Sequence, residues 1–180
     1  MTLFSERGFA DTTVPQITAR AGLTTRTFFR HYADKREVLF AGDDELPEIV
    51  ARVFALAPAE LTPLDVVVQG LRNVVAPRFD NQWAYLRARR DIVDTEVALQ
   101  EREAHKLATL ARSATIGFTD RGLTPLQAGI AAALAVNLYD AAFQLWLDGD
   151  GTTTFAQAVT MAVEALNDIH PSRPTKPQPI

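Results

Sequence analysis

Apolar residues along the chain recur at three- and four-residue intervals, and nowhere do they alternate with polar ones as a half-buried strand would require, so the pattern predicts helices throughout. Helix punctuation is densest in the first 45 residues. Leu3 to Arg7 reads as the end of a helix stopped by Gly8, with Phe9 folding back on its last turn. Thr13-Val14-Pro15-Gln16 is a capping box that opens a second helix, Val14 to Ala21, closed by Gly22. Thr24 caps a third, Thr25 to about His31, and Asp34-Lys35-Arg36-Glu37 reads as another capping box that launches a fourth. Ile17, Ala21, Leu23 and Phe28, with Phe4, Tyr32 and Leu39, are the expected core of this unit.

Farther along, Glu37 to about Ala57 reads as a connecting helix that Pro47 should break or kink. Thr62-Pro63 starts a helix through Val66, Val67, Leu71 and Val75 toward Pro77. A long stretch from about Asn81 to Phe118 is expected to break near Asp94 to Glu96. A third capping box, Thr124-Pro125-Leu126-Gln127, opens a helix to about Leu147, and a last helix covers about Phe155 to Ile169. The prediction is an all-α chain: a tri-helical helix-turn-helix domain at 1–44, a helical regulatory and dimerisation domain at 45–170, and a Pro-rich disordered tail at 171–180.

Composition narrows the chemistry. The 180 residues are 47% hydrophobic and 22% charged, which suits one small module beside one helical domain. Cysteine is absent, and the three histidines are scattered at His31, His105 and His170, so disulfides, thiolate chemistry and a local metal site are not expected. No secretory leader pattern opens the chain, and the uncharged run from Gly122 to Tyr139 is interrupted by Gln127 and Asn137; both point to a cytoplasmic protein without a membrane span. No phosphate loop, nucleophile elbow or Glu-x-x-His pair is present, so neither an enzyme nor a cofactor is expected.

The net charge of −4 is unevenly divided. Residues 1–40 hold six cations (Arg7, Arg20, Arg26, Arg30, Lys35, Arg36) against four acids (Glu6, Asp11, Asp34, Glu37), a net of +2 that leaves −6 to the remainder. The basic end is where a DNA reader is expected. In a helix-turn-helix the second helix enters the major groove while the first braces it. By helical spacing Phe28 points inward, whereas Thr25, Arg26, Phe29 and Arg30 share the opposite arc. That arc offers guanidinium groups for guanine edges or phosphates, a hydroxyl, and an aromatic surface for a thymine methyl. Thr24 and Thr27 flank it. Thr13 and Lys35, each near a helix N-terminus, are candidates for phosphates, and His31 and Tyr32 for further backbone contacts.

The segment Leu3-Phe4-x-Glu6-x-Gly8-Phe9, Thr12-Thr13-Val14-x-x-Ile17, Ala21-Gly22-Leu23-Thr24, Thr27-Phe28-Phe29-x-His31-Tyr32-x-Asp34-Lys35-x-Glu37 resembles the DNA-binding signature of TetR-family regulators. The resemblance implies a homodimer whose two recognition helices read a palindromic, double-stranded operator, and a repressor released by a small-molecule effector in the C-terminal domain. Phe29 stands where the family usually has tyrosine, and the family's first helix normally begins farther upstream. The alternative is a relative that no longer binds DNA and acts as a ligand or protein sensor.

The C-terminal part is less explicit. Leu134-Leu138-Ala141-Leu145 and Phe155-Val159-Ala162-Leu166 form broad apolar faces on the last two helices, which the resemblance assigns to a four-helix dimer interface and which an ordinary monomer core would also explain. Candidate pocket residues are Leu71, Val75, Trp83 and Phe118, with Arg87, Asn137, Asp140 and Phe143. The line Asn137, Asp140, Gln144 reads equally as a solvated edge, and Arg87 and Arg90 as surface partners of Asp91 and Asp94.

Overall fold

A computed structural model describes residues 2–169, and among these the regular structure is helical throughout. The expected tail at 171–180 lies outside the described residues. Three short helices come first: α1 (Thr2–Arg7), α2 (Val14–Ala21) and α3 (Thr25–His31). Their stops follow from local chemistry. Gly22 takes a left-handed conformation, φ 67°, which lets Leu23 donate to Thr18 at 2.9 Å and closes α2 without steric strain. Ahead of it, the Gln16 carboxamide oxygen accepts the Thr13 amide at 2.9 Å.

α4 (Leu46–Leu56) is shorter than expected. Residues 37–42 form turns and Asp43–Glu45 a single 3₁₀ turn, so no helix starts at Asp34. The carboxylate of Asp34 accepts from the Arg36 amide at 2.7 Å and from its guanidinium at 2.8 Å, while Glu37 faces Arg102 at 3.7 Å. The two side chains that would make the capping box are thus engaged elsewhere. Pro47, expected to kink a helix, instead occupies the first turn of α4, where no amide donor is needed.

The regulatory part continues with α5 (Pro63–Gly70), extended by a π turn (Leu71–Val75) and a 3₁₀ turn (Ala76–Phe79). α6 (Trp83–Val93) and α7 (Val97–Asp120) are separated at the expected break. α8 (Pro125–Asp148) and α9 (Phe155–Ile169) complete the described fold. By length and composition α8 is apolar enough to cross a membrane, yet Ala128, Ala132, Ala142 and Leu147 bury one side of it in the protein core.

Two apolar cores result. The larger one joins α5, α7, α8 and α9 around Val66, Phe118, Leu147 and Val159, with Phe79, Phe143, Trp146 and Phe155 as an aromatic cluster. The smaller one, Phe4, Leu39, Phe40, Ile92, Val93 and Leu99, seats the N-terminal helices on the end of α6 and the start of α7. Leu23, expected in a core, is 52% exposed because the turn after Gly22 carries it outward.

Candidate functional site

The α2–turn–α3 unit presents one side of α3 to solvent. Thr24 caps α3 by accepting the Thr27 amide at 3.1 Å, and Phe28, 4% exposed, anchors it against Tyr32 with ring centroids 5.3 Å apart. With that face fixed, helical geometry turns Arg26, Phe29 and Arg30 outward; Phe29 is 58% exposed. Among the described residues no carboxylate pairs with Arg26 or Arg30, although salt bridges engage most neighbouring charges, as in Arg20–Glu6 at 3.2 Å. The Arg30 guanidinium donates to Nε2 of His31 at 3.4 Å, so an exposed guanidinium and an exposed imidazole sit together at the end of α3.

Thr13, Thr24 and Thr25 are exposed on the same unit, whereas Thr27 and Tyr32 are half-buried. Lys35 departs from the sequence expectation. Its Nζ donates to the carbonyl oxygens of Phe9 at 2.6 Å, Ala10 at 2.9 Å and Thr12 at 2.9 Å, and stands 4.5 Å from the Phe9 ring centroid. All three ammonium donors are thereby occupied, so Lys35 braces the turn before α2 and has none left for a phosphate.

Beside the N-terminal unit, the segment 37–45 and helices α4 to α8 enclose a cavity of about 480 Å³, within the roughly 300–1,000 Å³ range of ligand pockets. Four expected pocket residues, Leu71, Val75, Phe118 and Phe143, line it. The other four do not. Trp83 donates through Nε1 to the Trp146 carbonyl at 3.0 Å and Arg87 to the Leu147 carbonyl at 2.7 Å, so both tie α6 to the last turn of α8. Exposed Asn137 donates to the Ala133 carbonyl, and Asp140 accepts from Gln144 on the outer edge of α8. Arg90 pairs with Asp148 at 2.8 Å, not with Asp94.

The polar chemistry of the cavity comes from residues that the sequence did not single out. Arg89 and Lys106 are buried cations in the wall, joined through Glu103 behind it: Arg89 meets Glu103 at 2.7 Å, and Lys106 binds its other oxygen. Arg89 Nε also donates to the Leu39 carbonyl at 2.7 Å. Burial alone would raise the Glu103 carboxyl, but the attraction of Lys106 and then Arg89 outweighs it and holds the group below the usual carboxylate range. Asp43 faces the same space, and burial pushes its carboxyl up, against the opposing pull of Lys106 and Arg89. Burial also pushes up the Tyr139 phenol in the wall. One signal marked these positions: Arg89 and Lys106 occupy the buried stripes of α6 and α7, in line with Ile92 and Val93 and with Leu99 and Ala114.

Of the apolar faces expected on α8 and α9, Leu138, Phe155 and Val159 turn inward into the core, and Leu134, Ala162 and Leu166 are half-buried. Ala141 and Leu145 of the expected α8 face are exposed, and so, outside the expected faces, are Leu126 and Ile130 on α8 and Met161 and Ile169 on α9; Ile130 is 62% exposed.

Residues 1–41 match the family model described as "Bacterial regulatory proteins, tetR family". A 73-residue stretch is 34% identical to the HTH-type transcriptional regulator TcmR of Streptomyces glaucescens, covering 41% of this chain and 32% of that protein. The chain is also similar in fold to the crystal structure of a transcriptional regulator (TerR/AcrR family) from Aquifex aeolicus VF5, with a TM-score of 0.54, 18% identity and 93% of both chains covered. Residues 1–41, with the capped and outward-facing α3 just described, are thus similar to the helix-turn-helix of the tetR family of bacterial regulatory proteins.

Proposed function

We propose that the protein is a cytoplasmic repressor that acts as a homodimer: two copies of α3 enter successive major grooves of a palindromic operator, and a small molecule in the cavity releases them. In this reading residues 1–44 bind DNA and residues 45–170 bind the effector and the second copy. The observation that carries it is the exposure of Arg26 and Arg30 on one arc of α3, without carboxylate partners among the described residues. Unpaired guanidinium groups beside a capped helix start are suited to base edges and phosphates. Dimerisation through α8 and α9 is supported by Leu126, Ile130, Leu145 and Met161, an apolar strip that a second copy of itself would cover.

Release is supported by the position of the cavity. Leu39 and Asp43 belong to its wall, and Leu39 also belongs to the core that seats the N-terminal helices, so an occupant would press on the connection between the two functions. The test is selection of duplexes from a random pool by the full chain. Enrichment of an inverted repeat with half-sites separated by about one helical turn or a multiple of it, with affinity falling steeply with salt, is expected. Recovery of no preferred duplex would overturn the proposal.

A further inference from the structure

We infer that the hydroxyl of Tyr139 is the polar contact for the occupant of the cavity, and that this occupant is an uncharged, largely apolar molecule presenting an oxygen acceptor such as a ketone. The inference rests on the reading of the cavity as the effector site and adds the class of effector.

The position of Tyr139 carries the argument. It lies on the inward stripe of α8, where its neighbours Leu138, Ala142, Phe143 and Trp146 are all buried. Tyr139 itself is half-buried and lines the cavity, as do the half-buried Ala135 and Val136 beside it. The surface that these three retain is therefore cavity surface. The Tyr139 ring is held in place, stacked on Phe143 with centroids 5.7 Å apart and edge-on to Phe155 at 6.1 Å.

The hydroxyl makes no hydrogen bond among the described residues, in contrast to Asn137 and Gln144 on the same helix. It is also not sealed off. Among the described residues the single partnerless side-chain oxygen or nitrogen that is closed to a water-sized group is Asp43 Oδ2. An open, unpaired hydroxyl set among Ala135, Val136 and Phe143 is completed by a polar atom of whatever fills the space. Because burial pushes the phenol up, the hydroxyl keeps its proton and donates, which an acceptor on the occupant matches.

The ion pairs of the wall point to an uncharged occupant. Arg89 and Lys106 share Glu103, and Arg78 is held by Glu45 at 2.6 Å. A ligand carboxylate would have to compete with these pairs, and an ammonium would enter beside two buried cations. Val53, Phe54, Val67 and Leu71 offer an apolar surface to the body of the molecule.

The test uses the full chain and four probes with one body: diphenylmethane, benzophenone, diphenylacetate and diphenylmethylammonium, with affinities measured by equilibrium dialysis. Both uncharged probes are expected to bind, and both ions more weakly than benzophenone. Tyr139→Phe keeps the ring and its packing, and circular dichroism verifies its helical content. It is expected to weaken benzophenone roughly three- to tenfold, the value of a neutral hydrogen bond, and to leave diphenylmethane within about twofold. The carbonyl stretch of bound benzophenone is expected at lower wavenumber in the wild type than in Tyr139→Phe, a signature that a merely structural role of the ring would not move. Equal loss for ketone and hydrocarbon, no loss for either, tightest binding by an ion, or binding of none of the four probes would each overturn the inference. Duplex selection is scored on the same preparations. A preferred duplex with no effect of Tyr139→Phe on benzophenone overturns the inference alone; no preferred duplex with that effect present overturns the repressor and upholds the assignment of Tyr139.

Discussion

The ammonium of Lys35 lies 2.6 Å from the carbonyl oxygen of Phe9, a residue 26 positions earlier. This contact, with those to Ala10 and Thr12, makes Lys35 the clasp of the α1–α2 turn. Lys35→Met is expected to lower stability by about 1–3 kcal/mol, because three carbonyls lose a charged donor. It should weaken DNA binding only through that loss of order. A titration against salt checks this: the log–log slope stays at its wild-type value, whereas a phosphate contact would reduce it by about 0.9.

Arg26 and Arg30 should behave differently from Lys35. Arg26→Ala is expected to relax discrimination at one operator position by about 1–3 kcal/mol, the value of a good bidentate base contact. Competition between the preferred duplex and single-base variants measures it. A uniform loss on all duplexes would place Arg26 on phosphate instead.

Glu103 and Asp43 should give stability profiles of opposite sign in acid. Glu103 titrates below its unfolded value of 4.5 when folded, so its contribution is complete above that pH and is lost as the pH falls toward the folded value. Asp43 titrates above its unfolded value of 3.8, so its contribution worsens as the pH rises through the folded value. Glu103→Gln is expected to cost about 3–5 kcal/mol near neutrality by leaving two buried cations, and to flatten the acid limb. Asp43→Asn should remove the opposing slope. Denaturant melts between pH 3 and 7 on the order of one unit apart resolve both.

Gly117 has no room for a methyl group, because a Cβ there would collide with the ring of Phe54 on α4. Phe54 stacks edge-on with Phe118, centroids 4.9 Å apart, and lines the cavity. Gly117→Ala is therefore expected to destabilise by about 1–3 kcal/mol. Thermal unfolding measures the loss.

Ile130→Arg tests the outer face of α8. Sedimentation equilibrium is expected to show conversion of a dimer to monomer with helical content kept, since a charge would be buried at the centre of an apolar interface. A variant that still sediments as a dimer would place the second copy elsewhere.

Helix boundaries were legible because they rest on neighbours. The stops at Gly8 and Gly22 and the capping box at Thr124 and Gln127 involve residues within a few positions of one another, and the break at 94–96 and the start at Phe155 follow the same logic. The exposed arc of α3 was equally local, since burying Phe28 fixes where Arg26, Phe29 and Arg30 point. Where a local pattern had a competitor, it lost: Asp34 bonds to Arg36 and Glu37 faces Arg102, so the helix expected at Glu37 begins only at Leu46.

Amino-acid order alone determined the helical class, the helix-turn-helix and its exposed basic arc, because each arises from contacts one or two turns apart. Tertiary structure decided what surrounds the cavity and what holds the N-terminal unit to the rest. Asp43, Arg89, Glu103 and Lys106 come from separate segments, and Lys35 reaches back across the whole helix-turn-helix. Burial and charge pairing are properties of the packed chain, and a side chain's local neighbours in sequence carry no record of which distant partner will satisfy it.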